Sequence, residues 1–108
     1  MIVYIRKSAV HGRGVFVSTT CQTGALLEVC EVIPYDGPDK TSLWEHQLAW
    51  TDTSDCIASG CALFYNHSDD PNAVMIRHPD TEQIAVFARR SIAAGGEVFI
   101  KYKCKPWW

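Results

Sequence analysis

His11-Gly12-Arg13-Gly14 sets glycines at alternate positions between two apolar runs. Glycine tolerates positive φ and lets a ligand approach the main chain, so such a turn can hold a cofactor through backbone groups. It also suits a plain tight turn, and it lacks the third glycine and following helix of a dinucleotide fingerprint. A second candidate is Leu63-Phe64-Tyr65-Asn66-His67-Ser68-Asp69-Asp70-Pro71-Asn72, where an apolar run passes abruptly into turn-forming residues. Asn66 and His67 offer donors and acceptors suited to the polar edge of a base such as adenine, and would serve a polar surface loop equally well. Asn66-His67-Ser68 also fits the glycosylation acceptor pattern, but Met1–Arg6 lacks the basic-then-apolar layout of a secretion signal. Asp69 and Asp70 lack the regular spacing of an oxygen-ligand loop for a hard cation. The third candidate is the run from Gly95 to Tyr102, followed by Lys103-Cys104-Lys105-Pro106-Trp107-Trp108. A tyrosine in that place is ordinarily a core or edge aromatic. Two adjacent tryptophans carry apolar area that is costly to leave in water, so they are expected to pack on the domain, on a partner or over a ligand.

The elements that must position these segments read as mostly β. Ile2–Ile5, Gly14–Val17, Leu26–Ile33, Ala73–Arg77, Ile84–Ala88 and Val98–Tyr102 are short runs rich in Val, Ile, Phe and Tyr, bounded by turn-forming residues. His78-Pro79-Asp80-Thr81-Glu82 reads as the loop of a hairpin. The one predicted helix is Leu43–Trp50, with Ser42 as its cap and Glu45 three residues later in a capping-box arrangement. A faint internal repeat is also present. Val15-Phe16 is followed by Gly24 and Leu26-Leu27, and Val86-Phe87 by Gly95 and Val98, the two copies lying 71 positions apart. Two similar hairpin-like units packed against each other would produce that pattern.

Composition excludes several classes. The 108 residues suffice for one domain, expected to span residues 1–108, and 47% hydrophobic with 20% charged residues is ordinary globular usage. No apolar run approaches the roughly 18 residues of a membrane span, so the expectation is a soluble intracellular protein without membrane contact. The five cysteines include no Cys-x-x-Cys pair, which argues against a zinc knuckle and a disulfide framework; buried thiols and no metal are expected. Net charge is −2 but unevenly spread. Residues 28–82 carry eleven acids against Lys40 and Arg77, while residues 83–108 carry five bases and a single acid, Glu97. An acidic middle can attract a basic protein and gives no footprint for nucleic acid, although a charge run also serves as a solvated face.

Together, in this order, the three segments resemble the SET-domain family, in particular its minimal viral and bacterial forms, over essentially the whole chain. His11-Gly12-Arg13-Gly14-Val15-Phe16 is similar to the family's Gly-x-Gly opening, Phe64-Tyr65-Asn66-His67-Ser68 with Pro71-Asn72 to its Asn-His-Ser segment, and Ile92 through Tyr102 to its closing Gly-Glu-Glu…Tyr motif. Three positions depart from the pattern. Leu63 stands where many members have arginine, Gly96 replaces the first glutamate of the closing pair, and Lys101 replaces the common aspartate before the tyrosine.

The resemblance implies a SET-domain β-clip with pseudo-symmetric small sheets, one short helix and a loop threaded by the C-terminal segment. It implies a protein-lysine methyltransferase that uses S-adenosyl-L-methionine, releases S-adenosyl-L-homocysteine and needs no metal. His11, Gly12, Arg13, Gly14, Asn66, His67, Tyr102 and Trp107 would hold the cofactor, and Tyr102 would be the catalytic residue. Tyr65, Ile100, Trp107 and Trp108 would line the lysine channel, with Ile100 at a position that influences how many methyl groups are added. A basic protein such as a histone tail is the expected substrate, in the cytoplasm of a bacterium or in a host nucleus, and self-association as a homodimer is expected where flanking domains do not shape the groove. The rival reading is a non-catalytic SET-like module that binds basic peptides, with Gly96 and Lys101 marking lost activity.

Overall fold

The computed structural model describes residues 2–36, 48–50 and 54–102. In chain order its elements are β1 (Val3–Lys7), β2 (Arg13–Val17), β3 (Leu26–Asp36), β4 (Leu48–Ala49), β5 (Ser54–Ala58), a 3-10 turn (Ala62–Phe64), β6 (Asn66–His67), β7 (Ala73–His78), β8 (Gln83–Ala88) and β9 (Glu97–Ile100). They form two sheets, one ordered β1-β2-β9-β6 and the other β4-β5-β3-β8-β7.

The most continuously apolar runs take the inner places. Gly14 to Val17 of β2 are all buried, as are Ile84, Ala85 and Val86 of β8, because each strand has a neighbour on both sides and a covered surface on both faces. At the edge of the second sheet β7 alternates instead, with Ala73 buried and Val74 and Ile76 exposed, the period of a strand that faces water on one side. Valines 3, 15, 17, 86 and 98 with Leu27, Ile84, Cys30, Cys56 and Tyr65 form one core fed by both sheets.

The internal repeat is realised in hydrogen bonds. Gly24 N donates to Ala88 O at 2.8 Å, and Gly95 N, 71 positions on, donates to Val17 O at 2.8 Å. Ala88 N donates to Ala25 O, and its counterpart Val17 N to Gly96 O. Cys21 and Ile92, also 71 positions apart, exchange both backbone bonds at 2.9 Å and so link the two copies. Gly24 and Gly95 occupy matching positive φ of 87° and 82°, which fixes glycine at both turns. The expected mostly β fold with paired small sheets is thus the observed one.

Six predicted strands are present, displaced by a few residues at their ends. The hairpin loop is Pro79–Glu82, closed by the His78↔Gln83 pair. Residues 43–47 of the predicted helix lie outside the described residues, and its end is corrected: Leu48–Ala49 is extended and pairs with Cys56 and Asp55 of β5. The expected threading by the chain's end falls on 103–108, also outside the described residues, although β9 already runs between β2 and β6. Among the described residues no helix is long and apolar enough to cross a membrane.

Candidate functional site

The glycine turn is built by Ser8. Its amide donates to Gly12 O at 2.8 Å, and its hydroxyl accepts from Val10 N at 2.9 Å while donating to Glu97 Oε1 at 2.8 Å. Gly12 holds φ +49°, and the space where a Cβ would stand is open for 4 Å. Gly14 is buried for the opposite reason. A Cβ there would lie 2.3 Å from Glu97 Oε2 and 3.0 Å from Asn66 Nδ2. Alternate glycines therefore answer two separate demands, an unusual backbone at the first and a close approach at the second.

Asn66, 3% exposed, knits the turn to β9. Its amide donates to His11 O at 3.0 Å and to Glu97 Oε2 at 2.9 Å, with a longer contact to Arg13 O at 3.4 Å. An acid at this position would set carboxylate oxygens against three acceptors, so the NH2 group of asparagine is what the geometry needs. Asn72 performs the same service one strand away: Nδ2 donates to Glu97 O and Oδ1 accepts from Phe99 N, both at 2.8 Å.

His67 follows on β6, which runs parallel to β9 with Asn66 opposite Phe99 and His67 opposite Ile100. Its Nδ1 accepts from Tyr102 N at 2.9 Å and its Nε2 lies 2.9 Å from Asp69 Oδ1. A backbone N–H can only donate, so Nδ1 is unprotonated and Nε2 carries the hydrogen toward Asp69. The Tyr102 ring meets the His67 ring edge-on, with centroids 5.1 Å apart, and its hydroxyl donates to Tyr65 O at 2.5 Å. Burial, with the Glu97 charge added, pushes the Tyr102 phenol up to about 12. It stays protonated at neutral pH.

Tyr65 lies where the 3-10 turn passes into β6, with φ −65° and ψ 123°. It was expected to line a substrate channel, but its ring points into the core, 2% exposed, with its hydroxyl on Glu28 Oε1 at 2.8 Å. What it presents to Tyr102 is its carbonyl. Burial first, and then Glu28, raises the Tyr65 phenol.

At the rim, the Arg13 guanidinium stacks 4.7 Å above the Phe64 ring and is exposed, while Ile100 is buried in β9. Arg90 Nη2 clips the loop after His67, reaching Asp70 Oδ1 at 2.6 Å, Pro71 O at 2.9 Å and Asp70 O at 3.0 Å. The hydrogen bond from Arg90, with its charge added, holds the exposed Asp70 carboxyl below its usual range. Structure thus brings His11, Arg13, Gly14, Asn66, His67, Tyr65 and Tyr102 into one connected cluster with Gly12 at its open edge. Trp107 and Trp108 lie outside the described residues. Sequence reasoning missed Ser8, Glu28 and the parts played by Asn72 and Glu97. One signal did single out Glu97, as the lone acid among residues 83–108.

This cluster joins an early glycine turn, a buried asparagine-histidine pair and a late tyrosine on a doubled β framework. The SET-domain family model matches residues 12–103, and the chain belongs to the SET-domain family. Among solved structures, one of a candidate histone methyltransferase from Plasmodium falciparum aligns with a TM-score of 0.77 at 24% identity, covering 98% of this chain and 96% of that one. A search of curated proteins gives no match.

Proposed function

We propose that this protein is an S-adenosyl-L-methionine-dependent protein-lysine N-methyltransferase acting on a basic protein. The observation that carries the reading is the state of Tyr102. Its hydroxyl hydrogen is committed to Tyr65 O, and its phenol is held protonated. A phenol oxygen can accept a hydrogen from an approaching amine while its own hydrogen is donated elsewhere, and a protonated phenol cannot act as the base.

The residues present fit the cofactor. Gly12 offers main chain under open space, and the exposed Arg13 supplies a cation beside it, suited to a carboxylate. Asn66 and His67 spend their side chains on structure, so the part proposed for them is to present main-chain groups to the adenosine and methionine portions. The cofactor would supply a methyl group on a sulfonium centre, open to in-line displacement. What the protein contributes is alignment, since holding the reacting groups in line supplies much of such an acceleration. The lysine must arrive neutral from an ordinary pKa of about 10.4, and removal from water shifts it in that direction. Because Tyr102 stays protonated, the lysine proton leaves to solvent, and Tyr102 orients the free amine. Ile100, buried on the same strand, is proposed to set the room beside the amine and with it the number of methyl groups accepted.

The test is incubation with isotopically labelled methyl donor and a panel of basic proteins that includes histones and ribosomal proteins, followed by mass mapping. Label on lysine side chains of one class of protein is the expected result. Binding of basic peptides with no transfer to any of them would replace this reading with that of a non-catalytic module.

A further inference from the structure

Beneath the tyrosine pair lies a carboxylate that the reaction as described does not use. Glu28 sits on β3, at the register shift where β3 leaves its regular pairing with β8. Its Oε1 receives the Tyr65 hydroxyl at 2.8 Å and its Oε2 receives Cys61 N at 3.3 Å. Gly60, at φ +66°, leaves it room, since a Cβ there would stand 2.9 Å from Oε2. The Cys30 thiol beside it is pushed up to about 12 by burial and by the Glu28 charge. Among the described residues no cation pairs with Glu28, so its charge is met by hydrogen-bond donors alone. A sheltered carboxylate in that position destabilises unless each oxygen is engaged.

The two groups it holds are the two ends of one short segment. Cys61 opens the 3-10 turn and Tyr65 closes it, with Phe64 N returning to Cys61 O at 2.9 Å. Glu28 therefore staples Cys61–Tyr65 at both ends. The ring that it grips belongs to the residue whose carbonyl receives the Tyr102 hydroxyl. Resting on the methyltransferase reading, we propose that Glu28 is a positioning residue for Tyr102: it fixes the Tyr65 ring, the ring fixes the Tyr65 peptide plane, and that carbonyl sets the direction of the Tyr102 hydroxyl. The physical reason is tolerance. A reacting group must be held within about 0.5 Å of its productive place, and a carbonyl at the junction of a 3-10 turn and a two-residue strand has little regular structure of its own to hold it there.

The experiment uses Tyr65→Phe, which removes one hydroxyl and keeps the carbonyl, together with Glu28→Ala, Glu28→Gln and the Glu28→Ala/Tyr65→Phe pair. The expected result is that Tyr65→Phe and Glu28→Ala each lower kcat about tenfold with little change in KM for the methyl donor. The double variant should lose no more than either single one, as members of one chain of contacts do. Glu28→Gln keeps an acceptor for Tyr65 and should recover most of what Glu28→Ala loses. A second reading is independent of turnover: with tyrosines labelled at the ζ carbon, the Tyr102 resonance should move in Tyr65→Phe, a substitution made on another residue. If the unaltered protein transfers no methyl group, the methyltransferase reading fails and the resonance alone decides on Glu28. A Tyr102 resonance unmoved in Tyr65→Phe, or kcat within about twofold of the unaltered enzyme in that variant, overturns the proposal.

Discussion

Replacing Gly14 by alanine should break the link between the glycine turn and β9. The added methyl would stand 2.3 Å from Glu97 Oε2, and ordinary contact begins near 3.4 Å, so the carboxylate must retreat by roughly an ångström. It is not free to do so without loss, because Oε2 accepts from Asn66 at 2.9 Å and Oε1 from Ser8 at 2.8 Å. A hydrogen bond to a charged group is worth about 1.5–3 kcal/mol, and Glu97 is only partly covered, so the lower half of that range applies. Some compression of the buried strand adds to it, giving a loss of about 2 kcal/mol. For a domain of this size that lowers Tm by roughly 8–16 °C. Thermal melts followed by circular dichroism measure it directly. Affinity for S-adenosyl-L-homocysteine should fall as well, since Asn66 also carries the His11 carbonyl. A Gly14→Ala protein that melts with the unaltered one would show that the Asn66–Glu97 contact does not hold the turn.

Three further outcomes are expected. Gly12→Ala meets no atom within 4 Å and strains only the backbone at φ +49°, so it should cost about 1 kcal/mol in melts, with Gly12→Asn nearer to the unaltered protein because asparagine tolerates that region. Tyr102→Phe should lower turnover by roughly 100-fold while calorimetry finds S-adenosyl-L-homocysteine binding little changed; undiminished turnover would remove the hydroxyl from the mechanism. Stability should also decline at high pH. Cys30 is raised from 9.0 to about 12 and Tyr102 from 10.0 to about 12, so the unfolded chain releases these protons first. Their contribution is whole below about pH 9 and is lost as pH rises through the interval to about 12. Melts across that interval should show the decline, and Cys30→Ala should make it shallower.

Much of the fold was legible because β2, β3, β8 and β9 bury β-branched residues in runs bounded by turns, and β7 alternates as an edge strand does. The 71-residue repeat was legible because both copies need glycine at positive φ. What escaped were elements made by their neighbours. β5 is Ser-Asp-Cys-Ile-Ala, with weak alternation, and is a strand because β3 continues far enough to pair with it. β6 is two polar residues whose extended shape comes from β9 alongside. Leu48–Ala49 pairs with β5, a long-range choice that a local capping signal does not reveal. In the site, the residue types were readable but their division of labour was not. Ser8 and Glu97 meet across 89 positions, and nothing in the apolar run Ala62–Tyr65 indicates that the last ring turns inward to Glu28 while its carbonyl faces Tyr102.

The central claim is that the glycine turn, the Asn66-His67 pair and Tyr102 surround one molecule. Titration of isotopically labelled protein with S-adenosyl-L-homocysteine, followed by backbone amide resonances, tests it most directly. Gly12, Arg13, Gly14, Asn66, His67 and Tyr102 should shift together along one binding curve, with β7 and the hairpin loop Pro79–Glu82 unmoved. Shifts confined to other strands, or none at saturating ligand, would contradict it.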